Sequence, residues 1–117
     1  MAKITVYEKP TCTTCRNLAV LLKDNGIDYD KVNYYIEPLT AERLRSLIAK
    51  TGLRPYDVLR RNEAKAKDLG LNEDTDGEKL IELMVKYPEL LQRPIVEVGA
   101  KAVLARPVDR ALELIQP

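Results

Sequence analysis

Polar and apolar residues alternate from Lys3 to Tyr7, a period of two that predicts a strand. Glu8 to Thr14 holds Pro10 and three Thr, so it reads as a loop. Over Cys15 to Asn25 the spacing changes to the helical one, with Leu18, Leu21 and Leu22 on one face and Gly26 as the stop. Tyr29 to Tyr35 predicts a second strand, ended by Pro38. Thr40 can cap a helix that runs to about Lys50, carries Leu44, Leu47 and Ile48 on one face and stops at Gly52. Pro55–Asn62 and Glu63–Leu69 predict two short helical pieces, with Arg60 closing the first.

Thr75 and Glu78 stand three apart before Leu80, Leu83 and Met84, the spacing of a capping box, and Pro88 ends that helix. Ile95–Val98 and Lys101–Ala105 predict a hairpin around Gly99-Ala100, because a two-residue turn of this kind wants Gly in its first central position. Pro107 opens a last helix with Val108, Ala111, Leu112 and Ile115 on one face. The order strand, helix, strand, several helices, hairpin, helix is that of an α/β protein with a small mixed four-stranded sheet and helices packed on it. The first strand-helix-strand unit is expected to be parallel and right-handed.

Length and composition narrow the class. A chain of 117 residues suits a single domain spanning 1–117 and one unstapled core. With no Trp and no Phe, that core must be filled by Leu, Ile, Val and the six Tyr. The balance of 19 basic and 18 acidic residues gives no field that would steer the chain onto nucleic acid or an anionic membrane. No charged and apolar leader precedes the first strand, and the longest apolar run, Leu18 to Leu22, is far short of a membrane span, so a cytoplasmic protein is expected; a monomer is the expected state. Two Cys in a reducing compartment point to redox or nucleophilic chemistry rather than a structural disulfide. Two Cys without any His fall short of the usual Cys and His ligands of a structural zinc site, which argues against one within a single chain.

The chemistry concentrates in Lys9-Pro10-Thr11-Cys12-Thr13-Thr14-Cys15-Arg16, between the first strand and the first helix. A helix N-terminus offers unpaired N–H groups and a partial positive charge, which favour a thiolate. Arg16 in the first turn adds a full charge. Cys12 is the outer thiol and the expected nucleophile; Cys15, inside the first turn, is the candidate resolving thiol. Three arginines stand at segment ends: Arg60, Arg93 before Pro94, and Arg106 before Pro107. Arg93 and Arg106 flank the hairpin, so antiparallel pairing should make them neighbours. Two guanidinium groups about 6 Å apart repel by roughly 3 kcal/mol at an effective dielectric near 20, and a tetrahedral dianion between them would reverse that sign.

The motifs Pro10-Thr11-Cys12, Arg16-Asn17, Leu59-Arg60-Arg61-Asn62, Leu69-Gly70-Leu71, Arg93-Pro94-Ile95 and Ala105-Arg106-Pro107 resemble the glutaredoxin-coupled arsenate reductases along essentially the whole chain. The resemblance implies a thioredoxin-like fold with a helical insertion at about 40–90. It implies Cys12 as the nucleophile on arsenate, Arg60, Arg93 and Arg106 as oxyanion ligands, and Pro94 as a structural proline at the site, of a kind often cis in this fold. No bound cofactor or metal is implied; glutathione is the co-substrate, and glutaredoxin or thioredoxin the reductant. The chain departs from the family at Glu8, where arsenate-reducing members often have His, and at Cys15, where they often have a hydroxyl residue. A charged Glu8 would raise the pKa of a nearby thiolate, which shifts the burden of activation to the helix and Arg16. Cys15 is shared instead with the related redox-sensing regulators called Spx, which bind RNA polymerase. Arsenate reduction, general thiol–disulfide exchange linked to glutathione, and redox-controlled binding of RNA polymerase are thus the three readings, ranked in that order.

Overall fold

The computed structural model describes residues 3–115, arranged in two compact units: one formed by the chain up to Glu37 together with the part from Arg93 onward, the other by Pro38–Gln92. The first unit is built on a four-stranded sheet of order β2-β1-β3-β4, with β1 Ile4–Glu8, β2 Asp30–Asn33, β3 Ile95–Val98 and β4 Lys101–Leu104. β1 and β2 are parallel, with Val6 opposite Lys31; β1 and β3 are antiparallel, with Val6 opposite Val96. Helix α1, Thr13–Asp24, joins the two parallel strands.

Alternation along the strands decides which side chains meet α1 and the C-terminal helix α5, Arg110–Ile115. Val6 and Val96 point to that face and pack with Leu18, Leu22, Ala105 and Ala111, all nearly fully buried. Tyr7 points to the opposite face, where its hydroxyl donates to Glu97 Oε1 at 2.8 Å, so both polar side chains are buried with a partner. The hairpin turns at Gly99, whose φ of +60° lies in the left-handed region that Gly enters without a Cβ clash.

The second unit holds α2 Ala41–Thr51, a 3₁₀ turn at Pro55–Val58, α3 Ala64–Asp68, α4 Gly77–Lys86 and a 3₁₀ turn at Pro88–Leu90. Helix α2 starts where expected, because Thr40 Oγ1 accepts from the Arg43 N–H at 3.0 Å, and Gly52 ends it with φ +75°. Its interior face (Leu44, Leu47, Ile48) is buried, as is that of α4 (Leu80, Ile81, Met84).

Several boundaries differ from the sequence reading: α1 starts at Thr13 rather than Cys15, and four others have a physical reason in the neighbouring residues. The cap of α4 is Asp76, whose carboxylate accepts from the Lys79 N–H at 3.2 Å, while Thr75 turns back to accept from Asn72 N at 3.0 Å. Arg60 does not close a helix: the 3₁₀ turn ends at Val58, and Leu59 then bridges Leu91 in antiparallel fashion. β2 stops at Asn33 rather than Tyr35, because the Asn33 side chain accepts from Tyr35 N and its carbonyl from Ile36 N and Glu37 N, which folds the chain into a turn. Pro107 precedes a tight turn, not a helix. Successive three-residue hydrogen bonds from Arg110, Ala111 and Leu112 lead through it into α5.

Replacing Asp76 by Ala removes the side-chain acceptor for a first-turn N–H of α4. Loss of about 1 kcal/mol of stability is expected, read as a lowered urea midpoint with unchanged slope; an unchanged midpoint would return the cap to Thr75.

Candidate functional site

Every candidate residue of the first unit lies at the end of β1 or at the two ends of the hairpin. The chain leaves β1 at Glu8, and the Cys12 N–H closes a turn on Lys9 O at 2.9 Å. Cys12 itself is the N-cap of α1, with extended backbone (φ −78°, ψ 126°) and its carbonyl accepting from Arg16 N at 3.0 Å. That conformation swings the sulfur over the unpaired amides of the first turn. The Cys15 N–H faces it without making a cap bond of regular geometry, yet close enough to favour the anion. Both thiols are free, Cys12 half-buried and Cys15 buried.

Arg93 and Arg106 meet as the hairpin requires. Ala105 N donates to Pro94 O at 2.9 Å, and Arg106 Nη1 donates to the Arg93 carbonyl at 2.8 Å. The peptide bonds Arg93-Pro94 and Arg106-Pro107 are both cis. Arg106 is otherwise exposed, whereas Arg93 is only 7% exposed. The Arg93 guanidinium reaches the Cys12 sulfur and the Tyr34 hydroxyl, and its Nη1 donates to the Tyr35 hydroxyl at 3.2 Å. Its Nε is buried and has no partner among the described residues. A buried donor left unmade costs about 1–3 kcal/mol, so this N–H is the site's strongest demand for an acceptor.

Titration separates the two thiols. Burial pushes Cys12 up, but the Cys15 N–H, the Cys15 thiol and the Arg93 guanidinium together outweigh it and bring Cys12 down to about 7. Cys15 is pushed up to about 12, first by burial and then by the sulfur of Cys12 and the charge of Glu8, with the Lys9 N–H opposing. Near neutral pH, Cys12 is therefore a substantial thiolate and Cys15 a thiol. Glu8 is buried, and burial raises its own pKa against the pull of Lys31.

The candidate residues divide between the two units. Cys12, Cys15, Arg93, Pro94 and Arg106 come together in the first unit. The cation at the sulfur is Arg93, while Arg16, on the first turn of α1, is exposed. Glu8 makes its charge felt at Cys15. Arg60 belongs to the second unit, where its N–H donates to Leu90 O at 2.7 Å and its Nη1 lies 3.5 Å from Glu63 Oε2.

The sequence reading missed Tyr34 and Tyr35. Counted as strand residues they carried no chemistry. They follow the end of a parallel strand, the edge of an α/β sheet where ligand-binding groups gather, and that position was their available signal. Among the described residues no group of three or more His, Cys, Asp or Glu could hold a metal ion, and no helix is long and apolar enough to cross a membrane.

Residues 7–114 match the model of the ArsC family. The chain is 36% identical to the arsenate reductase of Escherichia coli K12 over 98% of its own length and 82% of that protein. It is 34% identical to YfgD of the same organism, an uncharacterized protein, over 97% of each. Among solved structures, an arsenate reductase from Vibrio cholerae superposes with a TM-score of 0.90 at 28% identity, covering 96% of this chain and 97% of the other. The mixed sheet is that of the thioredoxin-like fold these proteins share.

Because alkylation consumes thiolate, the iodoacetamide rate at Cys12 should rise with pH and reach half its maximum near 7. Replacing Arg93 by Ala removes a cation that lowers the pKa, so the midpoint should move up toward the ordinary thiol value. Cys15 should stay unmodified throughout that range; labelling of Cys15 ahead of Cys12 would reverse the assignment.

Proposed function

Because the chain belongs to the ArsC family, we propose that it reduces arsenate to arsenite through a covalent intermediate on Cys12. The observation that carries this reading is the pairing of a thiol lowered to about 7 with a buried guanidinium whose Nε has no acceptor. Arsenate, a tetrahedral oxyanion, supplies that acceptor and leaves further oxygens for the exposed side of Arg106. The family resemblance gives the same role to Arg60.

The Cys12 thiolate attacks As(V) and displaces an oxygen, which leaves protonated as hydroxide or water. Glutathione then attacks the adduct: Cys12 and glutathione become a mixed disulfide, the two electrons pass to arsenic, and arsenite leaves as As(III). Glutaredoxin removes the glutathione and restores the thiolate. This cycle places the protein among the reducing thiols of the cytoplasm.

Cys15 offers a second route, in which its thiol attacks the Cys12 adduct and closes an internal disulfide. The contact of the two thiols favours it, since each affects the other's ionisation. Cys15, however, is buried, and that burial holds its thiol above the ordinary range. The external thiol therefore leads.

Arsenate-dependent oxidation of NADPH, coupled through glutathione, glutaredoxin and glutathione reductase, tests the cycle. Cys12→Ser should abolish it, and turnover surviving that change would remove the covalent step. Arg93→Ala and Arg106→Ala should raise KM for arsenate by about tenfold or more, the worth of a charge-assisted hydrogen bond; Arg60→Ala tests its assignment separately. Cys15→Ser should keep most of the turnover with glutaredoxin, and a collapse there would promote the internal disulfide to the main route.

A further inference from the structure

We infer that Tyr35 is a positioning residue: its hydroxyl holds the Arg93 guanidinium against the Cys12 sulfur. The arrangement begins at Asn33, where β2 ends. The Asn33 Oδ1 accepts from Tyr35 N at 3.1 Å, and its carbonyl accepts from Ile36 N at 3.0 Å and Glu37 N at 2.9 Å. That turn is tight, and it presents two successive aromatic rings, Tyr34 and Tyr35, with centroids 5.2 Å apart.

The Tyr35 ring then meets both loops that build the site. Lys9 Nζ, from the loop whose carbonyl anchors the Cys12 N–H, lies 4.9 Å from the ring centroid. Arg93 Cζ, from the start of the hairpin, lies 5.8 Å from it. At the ring's tip the hydroxyl accepts from Arg93 Nη1 at 3.2 Å. Arg93 is thus held at its main chain and, beside the Tyr34 hydroxyl and the Cys12 sulfur, at its guanidinium by Tyr35. Arg106 pins its main chain through the Arg93 carbonyl, and Tyr35 pins the far end of its side chain.

An arginine side chain has several rotatable bonds, and a bond to one Nη is what keeps its opposite edge aimed. With the hydroxyl removed, the guanidinium spreads over more rotamers, and the positive charge felt at the sulfur falls on average. The ring alone would still stack with the guanidinium, so the hydroxyl is the part that positions. A phenol serving only as a packing shelf would be replaced by Phe without consequence.

Tyr35→Phe keeps the ring and deletes the hydroxyl. The readout is the pH profile of Cys12 alkylation by iodoacetamide, which uses no oxyanion, so failure of the arsenate reading leaves it untouched. We expect the midpoint to move up by about one pH unit, which slows labelling at pH 7 by about fivefold. In an Arg93→Ala background the same change should add nothing, because the hydroxyl acts through Arg93. Asn33→Ala, which loosens the turn and keeps the hydroxyl, should shift the midpoint less and in the same direction. An unmoved or lowered midpoint in Tyr35→Phe would overturn the inference, as would a further shift in the Arg93→Ala background.

Discussion

A thiolate can persist inside a protein only where fixed dipoles and a cation reach it, and the first unit is organised around meeting that need at one sulfur. β1 delivers the chain to the N-cap of α1, so the Cys12 side chain faces the first-turn amides. The antiparallel partner β3 begins just after Arg93, so the same end of the sheet brings in the guanidinium. The requirement is mutual. A buried cation is expensive unless it is paired and hydrogen-bonded, and Arg93 finds its partners in Tyr34, Tyr35 and the sulfur itself. Thiolate and cation stabilise each other, and neither would suit its place alone.

The same geometry makes two cysteines three residues apart chemically unlike. Cys12, at the cap, keeps contact with solvent and is favoured as an anion by the Cys15 N–H, the Cys15 thiol and Arg93. Cys15, one helical turn in, is buried, lies beside the negative sulfur of Cys12 and feels Glu8 from the end of β1. Once Cys12 is bonded to arsenic or to another sulfur, its negative charge is gone and one cause of the high Cys15 pKa goes with it. The reactivity of the inner thiol is thereby linked to the state of the outer one.

Much of this could be read from the residues in order. The strands, α1, α2, the Gly99 turn and the adjacency of Arg93 and Arg106 follow from local periodicity and antiparallel register, which short segments encode by themselves. What escaped was decided by competition between neighbours. Thr75 and Asp76 both fit a cap, and the winner depended on Thr75 finding Asn72 instead. Tyr34 and Tyr35 look like strand residues until the Asn33 side chain claims the Tyr35 N–H. Arg16 and Arg93 are both cations near Cys12 in principle. Arg16 is the nearer in sequence but stands exposed on a helix, whereas Arg93 is distant in sequence and aimed by a tyrosine hydroxyl that periodicity does not register.

The shared use of Arg93 also bears on why an anion should approach an anion here. A thiolate and an oxyanion charge about 4 Å apart repel by roughly 4 kcal/mol at an effective dielectric near 20. A guanidinium whose charge favours the thiolate and whose buried Nε has no partner among the described residues can attract both at once. Lowering the thiol's pKa and accepting an oxyanion are then two consequences of one charge. Had the thiolate been stabilised by helix amides alone, the approach of a dianion would meet that repulsion uncompensated. The sulfur would be reactive toward neutral electrophiles and disfavour oxyanions. On the proposed function, Arg93 turns a reactive thiol into one that selects for negative substrates, and the hairpin that carries it serves the reaction as much as the helix that bears the sulfur.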